Sequence, residues 1–175
     1  MNWIRVFLLL FVTTWATACS TTFPVTSTYE PSMDYSRLKT YDWMPRTGTG
    51  DDLNETIIAK TVGQLIEKAV DRELAAKGYV KQPGEKPDFY VAYRASVEEK
   101  SEPKVQTYTC GTRICSQGVD ISHYRQGTLI LDIIQGETKE VIWRGSTVRV
   151  TDPSQRETII NEAVKGILSQ FPPKK

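Results

Sequence analysis

Two alternating stretches, residues 124–134 and 140–150, constrain the fold more than anything else in this chain. They are separated by Gln135-Gly136-Glu137-Thr138-Lys139, whose glycine and polar side chains suit a hairpin loop. Two strands joined by so short a link must run antiparallel, so the sheet they belong to is at least partly antiparallel. Residues 88–97 alternate as well. Phe89, Val91, Tyr93, Ala95 and Val97 fall on one face and Tyr90, Ala92, Arg94 and Ser96 on the other, the pattern of a half-buried strand. Lys39-Thr40-Tyr41-Asp42-Trp43 reads as a further strand stopped by Pro45, and residues 46–52, with two glycines, as a loop.

Helices are punctuated as clearly. Asp52 followed by Glu55 resembles a capping box, and Ile58, Val62, Leu65, Ile66, Ala69 and Leu74 recur at helical spacing until Lys77 and Gly78. Gly78 can adopt the left-handed cap conformation, with Tyr79 or Val80 packing back on the last turn. The opposite face carries Lys60, Gln64, Lys68 and Asp71, so this helix should lie on a sheet. Near the C-terminus, Asp152 is a natural N-cap and Pro153 fits the first helical position. Ile159, Ala163, Ile167 and Leu168 mark a buried stripe, and Pro172-Pro173 ends the helix. Residues 98–105 are charged and contain Pro103, which predicts a strand end running into an excursion that includes the loop at Cys110. The expected class is α+β: a mainly antiparallel sheet of about four or five strands with two helices on one face, in the order strand, helix, three strands, helix.

The N-terminus is read as an address. Arg5 precedes the unbroken apolar run 6–12, too short to span a bilayer, which needs about 20 helical residues. Small residues then lead to Cys19 at Ala16-Thr17-Ala18-Cys19. This is a secretory signal with a processing site, and the cysteine at the junction resembles the lipobox of bacterial lipoproteins, in which that thiol carries diacylglycerol and becomes the first mature residue. The expected organisation is therefore a signal peptide over residues 1–18, lipidated Cys19 with a flexible Ser/Thr-rich tether over residues 19–28, and a single domain over residues 29–175. Ser20, in place of the Asp that retains such proteins in the inner membrane, points by the family rule to the outer membrane, periplasmic face. Loss of residues 1–18 leaves 21 basic and 21 acidic side chains, so no net basicity remains to hold nucleic acid. Cys110 and Cys115 are left as an even pair in a compartment where disulfides persist, and a bridge would close the loop Gly111-Thr112-Arg113-Ile114.

Taken together, Lys39-Thr40-Tyr41-Asp42-Trp43, Leu74-Ala75-Ala76-Lys77-Gly78-Tyr79, Pro87-Asp88-Phe89, Gly127-Thr128-Leu129-Ile130-Leu131-Asp132, Val141-Ile142-Trp143-Arg144-Gly145 and Phe171-Pro172-Pro173 resemble the family called domain of unknown function 4136, bacterial envelope lipoproteins. The resemblance covers nearly all of the mature chain. It implies a location and a fold and supplies no activity.

Little in the chain points to catalysis. The lone His123 has no second His or cysteine cluster for a metal site, no Gly-x-Ser-x-Gly elbow is present, and Gly48 and Gly50 lack the Lys-Ser/Thr of a phosphate loop. Glu98, Glu99 and Glu102 read as a solvated charge run. No catalytic residue, metal or cofactor is expected. Trp43, Trp143 and Arg144 form the candidate binding surface. The plainer account of Trp143 is core beneath the helices, with Arg144 solvated or salt-bridged and Gly145 leaving room for a close neighbour; the sharper one has an aromatic line a groove for an envelope ligand. The leading expectation is a noncatalytic module, tethered to the membrane through lipid on Cys19, whose sheet face or edge docks another envelope protein. A small lipid- or glycan-binding module, which needs a concave apolar pocket, is the alternative, and a hydrolase with converging shifted carboxylates the third.

Overall fold

A computed structural model describes residues 24–45, 57–84 and 86–173, and for residues 57, 58, 114, 115 and 117 the backbone only. The signal peptide, Cys19, the 46–52 loop and the Asp52/Glu55 capping box lie outside the described residues. The elements are β1 (Val25–Tyr29), a 3₁₀ turn (Tyr35–Arg37), β2 (Thr40–Trp43), α1 (Ile57–Ala76), β3 (Val80–Lys81), β4 (Phe89–Cys110), β5 (Arg113–Gln135), β6 (Val141–Val150), a second 3₁₀ turn (Pro153–Gln155) and α2 (Arg156–Leu168).

The class is α+β, with both helices on one face of one sheet. The sheet has six strands in the order β1-β6-β5-β4-β2-β3. It is mixed: β1, β6, β5 and β4 pair antiparallel, whereas β2 pairs parallel with both β3 and β4. The expected four or five mainly antiparallel strands are corrected in two ways. Residues 25–28, assigned to the tether, form most of β1, where Val25 opposes Thr147 and Tyr29 opposes Trp143. The two-residue β3 is too short to show a period. The parallel pairs follow from α1, which carries the chain across the sheet between β2 and the strands beside it.

The larger correction concerns residues 98–125. Instead of an irregular excursion, β4 and β5 run on as 22- and 23-residue strands. β6 ends where Val150 opposes Gln126, so from Glu99 opposite Arg125 to Cys110 opposite Arg113 they form a two-stranded ribbon, flanked by no other strand among the described residues. Pro103 is compatible with this because the outer side of an unflanked strand needs no N–H for a ladder. The charge that reads as loop in one dimension is the solvated surface of a ribbon exposed on both faces.

Alternation then sorts the flanked part of the sheet. Phe89, Val91, Leu129, Leu131, Ile133, Trp143 and Tyr41 are buried beneath Ile66, Ala69, Val70 and Leu74 of α1 and Ala163, Val164, Ile167 and Leu168 of α2. Gly78, at φ 88°, ends α1 as its sequence position predicts. Tyr79 N–H donates to Leu74 O (3.1 Å), Gly78 N–H to Ala75 O (2.9 Å), and the Tyr79 ring turns back onto Phe89 and Phe171. Asp152 caps the 3₁₀ turn that leads into α2, its Oδ1 accepting from Ser154 N–H at 2.8 Å.

The end of the sheet away from the ribbon is closed by the 30–39 crossing, in which Tyr35 donates to Ile142 O (2.5 Å). Asp88 fastens that crossing to β4. Its Oδ2 accepts from the N–H groups of both Lys39 and Thr40 at 2.8 Å, while its own N–H donates to Thr40 Oγ1 at 3.0 Å. Burial pushes the carboxyl up, but the Thr40 and Lys39 bonds prevail and hold it below the usual aspartate value. A depressed folded value means stabilisation present above the unfolded pKa and lost as pH falls through the folded one. Asp88→Asn should therefore cost about 1 kcal/mol near neutral pH, solvent screening included, and less near pH 3. Urea midpoints of both proteins at the two pH values measure this; a cost independent of pH would contradict it.

Candidate functional site

The two sheet faces divide the predicted site residues. Trp143 is 1% exposed and belongs to the core, its ring centroid 5.3 Å from that of Phe171. It lies across Gly145, where a Cβ would collide with the indole and with Ile167, so the glycine leaves room for a neighbour within the same strand. Arg144 points to the opposite, helix-free face. Trp43 sits at the flank of the core, half-buried, edge-on to Tyr93 with centroids 5.9 Å apart. The structure therefore does not bring the three candidates together, and Trp143 is unavailable to a ligand on the open face.

What Arg144 does join is Asp132. On the open face Ala92, Asp132 and Arg144 lie side by side on β4, β5 and β6. The Arg144 Nε donates to Asp132 Oδ1 at 2.5 Å and Nη2 to Oδ2 at 2.9 Å, while Arg94 Nη2 reaches Oδ2 at 3.3 Å. The carboxylate is 11% exposed, yet its two guanidinium partners are 62% (Arg94) and 43% (Arg144) exposed. Two positive charges thus flank one shielded negative charge, leaving outward donors in a planar arrangement suited to carboxylate or carbonyl groups. Tyr90 and Ile130 lie next to this cluster on the same face, with Val148 farther along β6, and Lys139 Nζ stands 3.7 Å above the Tyr90 ring. Asp132 was legible as an anomaly, an acid inside the apolar run Leu129–Ile134. Its two arginine partners, 38 and 12 residues away, were not.

Asp71 was also missed. Expected on the solvated face of α1, it gathers the edge of the core instead. Oδ1 accepts from Tyr41 Oη and Trp43 Nε1, each at 3.0 Å, and Oδ2 pairs with Lys81 at 2.8 Å. Burial, and then the Asp71 charge, raise the Tyr41 phenol well above its ordinary value, so it stays a donor throughout the physiological range.

An apolar cavity of about 290 Å³ opens between the helices and the sheet where the ribbon leaves the body. Val62, Ile66, Val97, Leu129 and Ile160 line it, with Arg149 and Arg156 among its polar lining. Arg149 is bound to Glu162 at 2.9 Å and to Ile159 O. His123 is on the ribbon, its Nδ1 2.9 Å from Ser101 Oγ directly across, both exposed. The pair lies on an open surface with no enclosing cleft, and its geometry is that of an ordinary cross-strand contact. No group of His, Cys, Asp or Glu able to hold a metal occurs among the described residues.

A profile of the family described as Domain of unknown function (DUF4136) matches residues 25–173, from the first residue of β1 to beyond the end of α2. The chain belongs to the DUF4136 family. No curated protein matches it. Among solved structures, a PDZ domain protein from Parabacteroides distasonis is similar at a TM-score of 0.58 and 16% identity over 87% of this chain. This chain spans only 36% of that protein, and the likeness shows the fold alone. Two PelC dodecamers from Paraburkholderia phytofirmans, the first a leucine-to-methionine variant, align over 87% of the chain and 98% and 99% of theirs, with TM-scores of 0.49 and 0.47 at 15% and 13% identity. For this DUF4136 member, the motifs quoted above are largely structural: Pro87-Asp88-Phe89 fastens β4 to β2, the Gly78 motif caps α1, and Trp143-Arg144-Gly145 divides core from open face.

Proposed function

We propose that this protein is a noncatalytic interaction module of the cell envelope, held at the periplasmic face of the outer membrane by lipid on Cys19, whose open sheet face docks another envelope protein. The observation that carries this is the helix-free face itself. Tyr90, Ile130 and Val148 mix aromatic and aliphatic area with the Arg94–Asp132–Arg144 cluster, a composition suited to a polar-rimmed protein interface. The outer edge of β1, paired with no strand among the described residues, extends the contact by strand pairing. A disulfide between Cys110 and Cys115 at the ribbon tip belongs to the same proposal. It is supported by the register at the ribbon tip, where Cys110 opposes Arg113 and the shift after Tyr108 leaves residue 115 without an opposite partner.

A photo-reactive side chain at Ser146 on this face, compared with one at Lys60 on the solvent side of α1, tests the reading in intact cells. Ser146 should yield a single protein adduct that Arg144→Glu reduces at least tenfold, and Lys60 none. No protein adduct at Ser146, with lipid or glycan captured instead by a photo-reactive side chain at Val97 in the cavity wall, would transfer support to the second reading, a small apolar-ligand module, which the 290 Å³ cavity favours.

A further inference from the structure

The ribbon and the first described residues, Pro24 and Val25, stand at the same end of the domain. Thr147 opposes Val25 on one side and Leu129 on the other, Leu129 opposes Ala95, and Thr147 Oγ1 donates to Pro24 O. From that level β4 continues fifteen residues to Cys110, about 50 Å at ~3.3 Å per residue, the last twelve of them in the ribbon. Four residues lie between Cys19 and Pro24, so the five Cα–Cα steps can span at most about 18 Å. β1 runs the other way for about 17 Å, with the 30–39 crossing beyond it, so a chain anchored at Cys19 cannot pass the far end of the domain and leave it clear of a bilayer. The ribbon end faces the membrane. Because the ribbon is longer than the tether, it cannot stand upright between domain and bilayer and must lie along the surface.

Its side chains are arranged for that position. In the distal half one face presents two directly opposed apolar pairs, Pro103 with Ile121 and Val105 with Val119; Ile121, Val105 and Val119 are 58%, 64% and 69% exposed. The other face presents Lys100, Glu102, Lys104 and Asp120, with Tyr124 Oη donating to Glu102 at 2.6 Å. A two-stranded ribbon in water is marginal without a cover for its apolar side. Its free edges carry unpaired backbone groups, which excludes hydrocarbon and leaves the headgroup boundary, where water still reaches them. Acidic and basic side chains nearly balance along it, Lys100, Lys104, Arg113 and Arg125 against Glu99, Glu102 and Asp120, so attraction to anionic lipid contributes little.

We infer that the 99–125 ribbon is a membrane-surface element, seating the Pro103, Val105, Val119 and Ile121 face in the headgroup region of the bilayer that holds Cys19 and so fixing the orientation of the open sheet face. This rests on the proposed anchoring at Cys19. The test places a photo-reactive side chain at Val119 or, on the opposite face, at Asp120, in the full-length protein in intact cells. Position 119 should give phospholipid adducts at least tenfold above position 120, and Val105→Asp, an exposed change that leaves the core untouched, should lower the 119 signal tenfold while the protein stays membrane-bound. Equal labelling of the two faces, a protein adduct alone at position 119, or no lipid adduct would overturn the inference. The mass of the mature protein separates the two failures: acyl chains present with no adduct at 119 sinks the ribbon contact alone, and acyl chains absent from Cys19 sinks both.

Discussion

Trp143→Ala should lower the free energy of unfolding by about 4 kcal/mol, a large part of the roughly 5–15 kcal/mol that domains of this kind possess. The indole is packed between β6 and α2, against Gly145, Ile167 and Phe171, and Phe171 in turn contacts Tyr35, Tyr79 and Phe89. Removing it opens a cavity that the surrounding sheet cannot collapse to fill. Trp143→Phe should be much milder. Trp143 Nε1 is buried without a hydrogen-bond partner among the described residues, so the phenyl ring loses packing but also removes an unpaired polar group whose burial costs about 1–3 kcal/mol. Urea unfolding followed by far-ultraviolet circular dichroism compares the three proteins. Equal losses for Ala and Phe would mean that the indole nitrogen is satisfied after all, and an alanine variant within about 1 kcal/mol of the parent would remove Trp143 from the core.

Cys19→Ala is expected to move essentially all of the protein from the membrane fraction to the soluble one, the largest effect of any single change. Each buried methylene contributes about 0.8 kcal/mol, so a diacylglyceryl group with an added acyl chain binds effectively without release, whereas one chain is marginal. Among the described residues no helix is long and apolar enough to cross a membrane. The ribbon contact alone would be reversible and removed by an alkaline carbonate wash. Fractionation after that wash, together with palmitate labelling of the parent, checks the expectation; a Cys19→Ala protein that survives the wash in the membrane would overturn the anchor.

Local signals were legible wherever the physics is local. The Gly78 cap, the Phe89/Val91/Tyr93 alternation and the 135–139 link need only backbone sterics and a two- or four-residue period, and each is found where the sequence puts it, whereas Asp152 caps a 3₁₀ turn and α2 itself begins at Arg156. The ribbon was hidden because its apolar-polar alternation is confined to Pro103-Lys104-Val105 and Val119-Asp120-Ile121, too short a pattern to read as strand beside the charged residues and the proline. β1 was taken for tether for a related reason: as a short edge strand paired on one side only, its Thr- and Ser-rich sequence carries no apolar run.

Sequence alone determined the α+β class, the presence of the two helices and the Gly78 end of the first, the central strands, membership motifs of the family and the expectation of an exported, lipid-bearing N-terminus. Tertiary structure decided the rest. That Trp143 and Arg144, adjacent in sequence, serve opposite faces follows from the pleat, but which face is core was fixed only when α1 and α2 settled on one side. Asp71 and Asp132 became hubs because the sheet and α1 brought donors from 10 to 38 residues away onto a single carboxylate, and pairings across such separations leave no period in the chain to read.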